Sequence, residues 1–128
     1  MCGVFAYSGT ERIAAGAVMA GLRRLEYRGY DSWGIAILGE RGIDVERRVG
    51  RIGVAGWTRL GPARVGLGHT RWATHGGVTE GNAHPHRGCN GRIAVVHNGI
   101  VENYAPLRRA LEREGHHFSS ETDSEVIA

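Results

Sequence analysis

Ala14, Ala17, Val18, Gly21, Leu22 and Leu25 recur at intervals of three and four residues. A stripe of that period belongs to a helix whose apolar side must lie against another element, so the chain has to supply a surface for it. The helix is expected to open at Thr10-Glu11-Arg12 and to run about four turns. Its surroundings read as sheet. Cys2-Gly3-Val4-Phe5-Ala6-Tyr7, closed by Ser8-Gly9, reads as a buried strand that begins at the terminus itself. Trp33 to Leu38 and Ile43 to Val49 flank Gly39-Glu40-Arg41-Gly42 as a hairpin with a four-residue loop, and Arg64 to His69 and Arg92 to His97 are further strands. A second helix is expected from Asn103 to Glu114, with Pro106 in its first turn and Gly115 at its end. The pattern is α+β.

Between the last two strands lies Thr70 to Gly91, rich in Gly, His, Asn and Thr and almost empty of large apolar side chains. A connection of that length inside a compact domain is functional or disordered. At 128 residues the chain holds one domain at most. No apolar run approaches the roughly 18 residues of a membrane span, and no basic segment precedes an apolar one at the start, so a cytoplasmic protein without a membrane partner is expected. The net charge of +3 comes from arginines interleaved with acids, as in Arg23-Arg24 before Glu26 and Arg108-Arg109 before Glu112. That is a solvated surface rather than a nucleic-acid footprint. The two cysteines, Cys2 and Cys89, form neither a C-x-x-C pair nor a disulfide framework. Thr122-Asp123-Ser124-Glu125 has the form of a capping box, in which hydroxyl and carboxylate satisfy each other's free backbone N–H groups at a helix start. The chain stops at Ala128, before that helix completes two turns, and on this ground a truncated piece of a longer protein is expected.

A cysteine at position 2 followed by glycine stands where an amino-terminal nucleophile would stand once Met1 is removed. Its free α-amine, with an ordinary pKa of about 7.7 to 8.0, could take the thiol proton and later return it to a leaving group. The other reading of the same position is a small apolar residue in a buried strand. The block His69-Thr70-Arg71-Trp72-Ala73-Thr74-His75-Gly76 bears on that choice. With Met1-Cys2-Gly3, Leu25 to Ser32 (LEYRGYDS), Asn82-Ala83-His84-Pro85-His86, His97 to Asn103 (HNGIVEN) and Glu121 to Glu125 (ETDSE), the chain resembles the class II glutamine amidotransferases in order and spacing. The Glu-Tyr-Arg-Gly-Tyr-Asp-Ser and Trp-Ala-Thr-His runs make it similar, within the class, to the hexosamine-forming glutamine:fructose-6-phosphate aminotransferases. Trp33, where that family has a small residue, and Val4-Phe5-Ala6 in place of Ile-Val-Gly depart from it, and both bear on packing more than on chemistry.

The resemblance implies an α+β fold of the N-terminal-nucleophile type, a four-layer αββα sandwich, of which residues 1–128 supply an incomplete amino-terminal portion without the isomerase domain. It implies Cys2 as nucleophile, and Asn98 and Gly99 as the oxyanion hole through side-chain amide and backbone N–H. Arg71 would hold the α-carboxylate of L-glutamine with its planar fork, and Asp123 the α-ammonium. Trp72 would cover the substrate, Thr74 and His75 would line it, and Arg28 would support the site. The partner is glutamine, with fructose 6-phosphate reached only through the absent domain and a homodimer expected of the full-length enzyme. Without the surrounding motifs, Asn98-Gly99 is an ordinary turn, Arg71 a surface charge and Asp123 a helix cap. Seven histidines, His84 and His86 among them, invite a metal, but no third ligand stands at a familiar zinc spacing, and neither a metal nor a cofactor is expected. Cys89 receives no role. Two rivals stay open: the glutaminase part of another class II amidotransferase, and a non-catalytic binding fragment.

Overall fold

A computed structural model describes residues 1–53, 58–74 and 76–128. Strand β1 (Gly3–Ser8) is followed by helix α1 (Ala14–Leu25), a 3-10 turn (Glu26–Arg28), the strands β2 (Ser32–Gly39), β3 (Gly42–Val49) and β4 (Val65–Arg71), the short β5 (His86–Arg87) and β6 (Ala94–Val95), helix α2 (Tyr104–Arg113) and a closing 3-10 turn (Asp123–Ile127). Four strands form one antiparallel sheet in the order β1-β4-β2-β3, and β5 and β6 form a separate two-stranded ribbon. The α+β expectation agrees with this arrangement.

The helical stripe meets the sheet as its period requires. Ala14, Val18 and Leu22 are fully buried, and Ile35 and Ile37 of β2 join them in the core. Directly paired residues of neighbouring strands share a face, so the rung Phe5–Gly68–Ile35 lies on the α1 side, and the next rung, Val4–His69–Gly34–Arg47, lies on the other. Gly68 is a condition of this packing. A Cβ there would stand 2.6 Å from Val18 Cγ1 and 2.8 Å from Leu22 Cδ1, so the bare backbone lets the helix settle onto β4. Gly34 does the same on the opposite face, where a Cβ would overlap the carbonyl oxygen of His84. The segment around His84 therefore lies directly on the sheet. The ribbon and α2 both contact the closing 3-10 turn beyond it.

Several sequence expectations change. The first strand is not wholly buried: it is the edge strand of the sheet, pairing with β4 alone among the described strands, and Val4 and Phe5 are 42% and 37% exposed. Helix α1 begins at Ala14 rather than at Thr10. Its first N–H donates to the carbonyl of Ala63 at 2.9 Å, which takes the place of a side-chain cap, and Arg12 pairs instead with Glu40 at 2.8 Å. Pairing of Gly39 with Gly42 tightens the hairpin until Glu40 and Arg41 alone are unpaired, with Gly42 at φ +129°. The strand expected at Arg92–His97 shrinks to Ala94–Val95, since the backbone N–H of His97 goes to the His84 ring rather than to a ladder. Helix α2 carries Pro106 in its first turn and ends before Gly115, which sits at φ +93° as the expected terminator.

Gly34→Ala should destabilise the protein by about 1–3 kcal/mol, the usual cost of overfilling a packed site. Urea titration of the variant measures it. An unchanged midpoint would contradict the close approach of His84 to β2.

Candidate active site

Alternation along β4 decides what the site is made of. Gly66, Gly68 and Thr70 face α1, so His69 and Arg71 face the other side, where Cys2 stands just ahead of β1. The Thr70 hydroxyl accepts the Gly3 N–H at 3.1 Å and ties the start of β1 to the end of β4. Beyond β4 the chain turns sharply: Asp31 donates its N–H to the Arg71 carbonyl at 3.0 Å, and its carboxylate accepts the Ala73 N–H at 2.9 Å. Cys2, Arg71, Asn98 and Asp123 come from segments far apart in sequence and line one cavity of about 390 Å³.

Within it the Cys2 sulfur accepts the Trp72 N–H at 3.2 Å and lies 3.5 Å from the Trp72 carbonyl. The backbone thus fixes the thiol at the cavity wall. Arg71 is 4% exposed, and Nη1 and Nη2 donate to the carbonyls of Gly77 at 3.1 Å and Gly76 at 3.4 Å. Burial lowers its pKa, opposed by the negative charges available at Cys2, Asp31 and Asp123. Asp123 accepts the Val101 N–H at 2.6 Å through one oxygen, which anchors the carboxylate and leaves it further lone pairs. A buried cation and an anchored carboxylate on one cavity wall suit a zwitterion. Trp72, 43% exposed, packs edge-on against Tyr30 at 5.3 Å between ring centroids. Thr74 lines the cavity, as does Arg28, which donates to the Met1 sulfur at 3.4 Å. Gly99 also lines it, at φ +154°. His75 lies outside the described residues.

The loop that the sequence marks as functional is built around polar side chains. Asn82 donates to the Gly77 carbonyl at 3.0 Å and to Glu121 at 2.9 Å, and accepts the Glu121 N–H at 2.8 Å, so it clasps the loop to the segment carrying Asp123. His69 stacks on His84 with ring centroids 4.3 Å apart, and His86 packs against His84 at 4.4 Å with its ring tilted by 59°. His69 Nε2 lies 2.7 Å from Asn98 Oδ1, and His86 Nε2 lies 2.7 Å from the Thr122 hydroxyl. Sequence reasoning missed this cluster: it read His84 and His86 as members of a family motif and as metal candidates, and His69 as the head of another motif, without bringing the three together. Their repeated placement at the two ends of the polar loop is the signal that could have found them. Among the described residues no three or more His, Cys, Asp or Glu side chains are grouped to hold a metal.

The capping box does not form as expected. The Thr122 hydroxyl is drawn to His86, and Glu125 reaches back to the N–H groups of Ser119 and Ser120, both at 2.7 Å, and to their hydroxyls. A 3-10 turn results in place of an α-helical start. Cys89 is exposed and lies 3.1 Å from His116 Nδ1, where it lines a different cavity.

Burial lowers the histidine pKa values to about 4 for His69, about 2 for His84 and about 4 for His86. The native rings stay neutral while those of the unfolded chain take up protons below about pH 6.5. Stability is therefore full above that value and falls as pH drops toward 4, by up to about 1.4 kcal/mol per pH unit for each ring. Urea midpoints measured from pH 7 to pH 5 should decline steadily. A flat profile would contradict a neutral buried stack.

Comparison with known proteins agrees with this geometry. The family described as glutamine amidotransferase domain matches residues 50–128. The chain is 53% identical over its whole length to a glutamine–fructose-6-phosphate aminotransferase (isomerizing) of Streptomyces coelicolor, of which it covers 21%. It is 54% identical, again over its whole length, to the enzyme so named in Thermus thermophilus, of which it covers 22%. The chain thus spans about a fifth of the length of the curated relatives it matches. Among solved structures, a glutamine phosphoribosylpyrophosphate amidotransferase from B. subtilis, in complex with ADP and GMP, superposes with a TM-score of 0.77 at 28% identity, over 98% of this chain and 28% of that one. An allosteric regulatory enzyme of purine biosynthesis gives a TM-score of 0.78 at 29% identity, with the same coverage. The fold, the cavity and the sequence agree: the chain belongs to the glutamine amidotransferase domain family.

Proposed function

We propose that the chain hydrolyses the side-chain amide of glutamine, with Cys2 as nucleophile, as the amino-terminal glutaminase part of a protein that makes glucosamine 6-phosphate from fructose 6-phosphate. The observation that carries the reading is the meeting of Cys2, Arg71, Asn98 and Asp123 around one cavity. The acceptor sugar is inferred from the relatives' names, and identities of 53% and 54% to those aminotransferases against 28% to the phosphoribosylpyrophosphate enzyme favour it.

The steps follow from the side chains. Removal of Met1, which is 77% exposed, would free the α-amine of Cys2 next to its own thiol. Arg71 takes the glutamine α-carboxylate and Asp123 the α-ammonium, which sets the side-chain amide against the sulfur. The amine takes the thiol proton as sulfur attacks the amide carbon. Negative charge gathers on the former carbonyl oxygen, where the Asn98 amide and the Gly99 N–H donate to it. Collapse of the tetrahedral intermediate breaks the C–N bond, and the ammonium form of the amine returns the proton to the departing ammonia. Water then cleaves the γ-glutamyl thioester. Trp72, Thr74 and His75 line the substrate and Arg28 supports the wall.

Ammonia release by the full chain tests this. Cys2→Ser should lose nearly all turnover, because serine is a far poorer nucleophile near neutral pH. Asn98→Ala should lower kcat by about 100- to 1,000-fold with a smaller change in KM. Arg71→Lys should chiefly raise KM, since a point charge replaces a fork. Full turnover in Cys2→Ser, or a pure KM effect in Asn98→Ala, would overturn the assignment.

A further inference from the structure

The two ends of the Asn98 amide have opposite hydrogen-bonding character, and their surroundings fix which way it points. Nδ2 lies 3.1 Å from the carbonyl of Cys2, a group that only accepts, so the donating end faces Cys2. Oδ1 therefore faces His69 Nε2 at 2.7 Å, and since an amide oxygen only accepts, Nε2 must carry the ring proton. His69 is 1% exposed, and among the described residues its Nδ1 has no hydrogen-bond partner. The Nε2–H bond to Asn98 is the ring's side-chain hydrogen bond, and the His97 backbone is a further polar neighbour, so both polar contacts of the ring go to the 97–98 pair.

The ring cannot easily turn away. It stacks on His84 with 17° between planes, and His84 Nδ1 accepts the N–H of His97, the residue before Asn98, at 3.2 Å. Backbone and side chain of the 97–98 pair are thus held by two adjacent imidazoles. Without a donor at His69 the amide could reverse, and a developing oxyanion would then meet an oxygen rather than an N–H.

We infer that His69 is a positioning residue, whose Nε2–H holds the Asn98 amide with its N–H groups toward Cys2 and the cavity. The inference rests on the proposed role of Asn98 as oxyanion donor. His69 lines the cavity beside Asn98, and its hydrogen bond goes to that side chain, so it acts by setting which end of the amide faces Cys2.

The test uses the full chain and measures ammonia release from glutamine together with thermal melts. His69→Phe keeps a ring and removes the donor; kcat should fall by about 10- to 100-fold, part of what loss of an oxyanion donor costs, while the glutamine KM stays within about threefold. His69→Gln restores an N–H and should recover kcat to within about fivefold of the parent protein. In an Asn98→Ala background, His69→Phe should cause no further loss, because the group it positions is gone. Should His69→Phe fail to fold, His69→Gln and His69→Glu decide: they match in length but present opposite hydrogen-bonding ends, and the Glu variant should be at least about tenfold slower. Equal rates for that pair, or losses that add in the double variant, overturn the positioning role alone. A silent Asn98→Ala would instead overturn the oxyanion assignment, and this inference with it.

Discussion

Strand β4 lies between β1 and β2 and has to serve both faces of the sheet. Its period of two sends Gly66, Gly68 and Thr70 toward α1 and His69 and Arg71 toward the cavity. The helix approaches closely because glycine leaves room for Val18 and Leu22. That close packing holds the opposite face rigid enough to carry buried polar groups. A slip of one residue in β4 would drive Arg71 into the apolar core and lift glycine into the site.

The cavity face is expensive to build, since burying imidazole, guanidinium and carboxylate groups costs free energy unless each finds a partner. The chain answers with local bonds from backbone and hydroxyl groups. Arg71 is held by the carbonyls of Gly76 and Gly77, Asp123 by the Val101 N–H, and Glu125 by Ser119 and Ser120. The three histidines remain neutral at ordinary pH, so their rings can crowd together without charge repulsion. The long polar loop is therefore a second, hydrogen-bonded core laid on the sheet.

Much of this was legible in the sequence, and the rest was hidden for definite reasons. Helix α1, the hairpin and α2 have strong local patterns, and the structure keeps them with small changes at their ends. Strand β1 looked buried because Val4, Phe5 and Ala6 are apolar, yet burial depends on what lies alongside, and among the described strands β4 alone pairs with it, leaving it at the sheet edge. The capping box failed because Thr122 and Glu125 found partners at His86 and Ser119–Ser120, a competition that motif spacing cannot express. Cys2, Arg71, Trp72, Thr74, Asn98, Gly99 and Asp123 do line one cavity. The histidine packing beside Asn98 was invisible, because ring contacts depend on how the loop folds over Gly34.

On the proposed function, sheet and loop together form a glutamine pocket ending at the Cys2 sulfur. The most direct measurement is a crystal structure of the full chain after reaction with a glutamine-mimicking electrophile. One adduct is expected, on Cys2, with its α-carboxylate on Arg71, its α-ammonium on Asp123 and its former carbonyl oxygen within hydrogen-bond reach of Asn98 Nδ2 and the Gly99 N–H. An adduct on Cys89 with Cys2 unmodified, or one on Cys2 whose amino-acid end points away from Arg71 and Asp123, would contradict it.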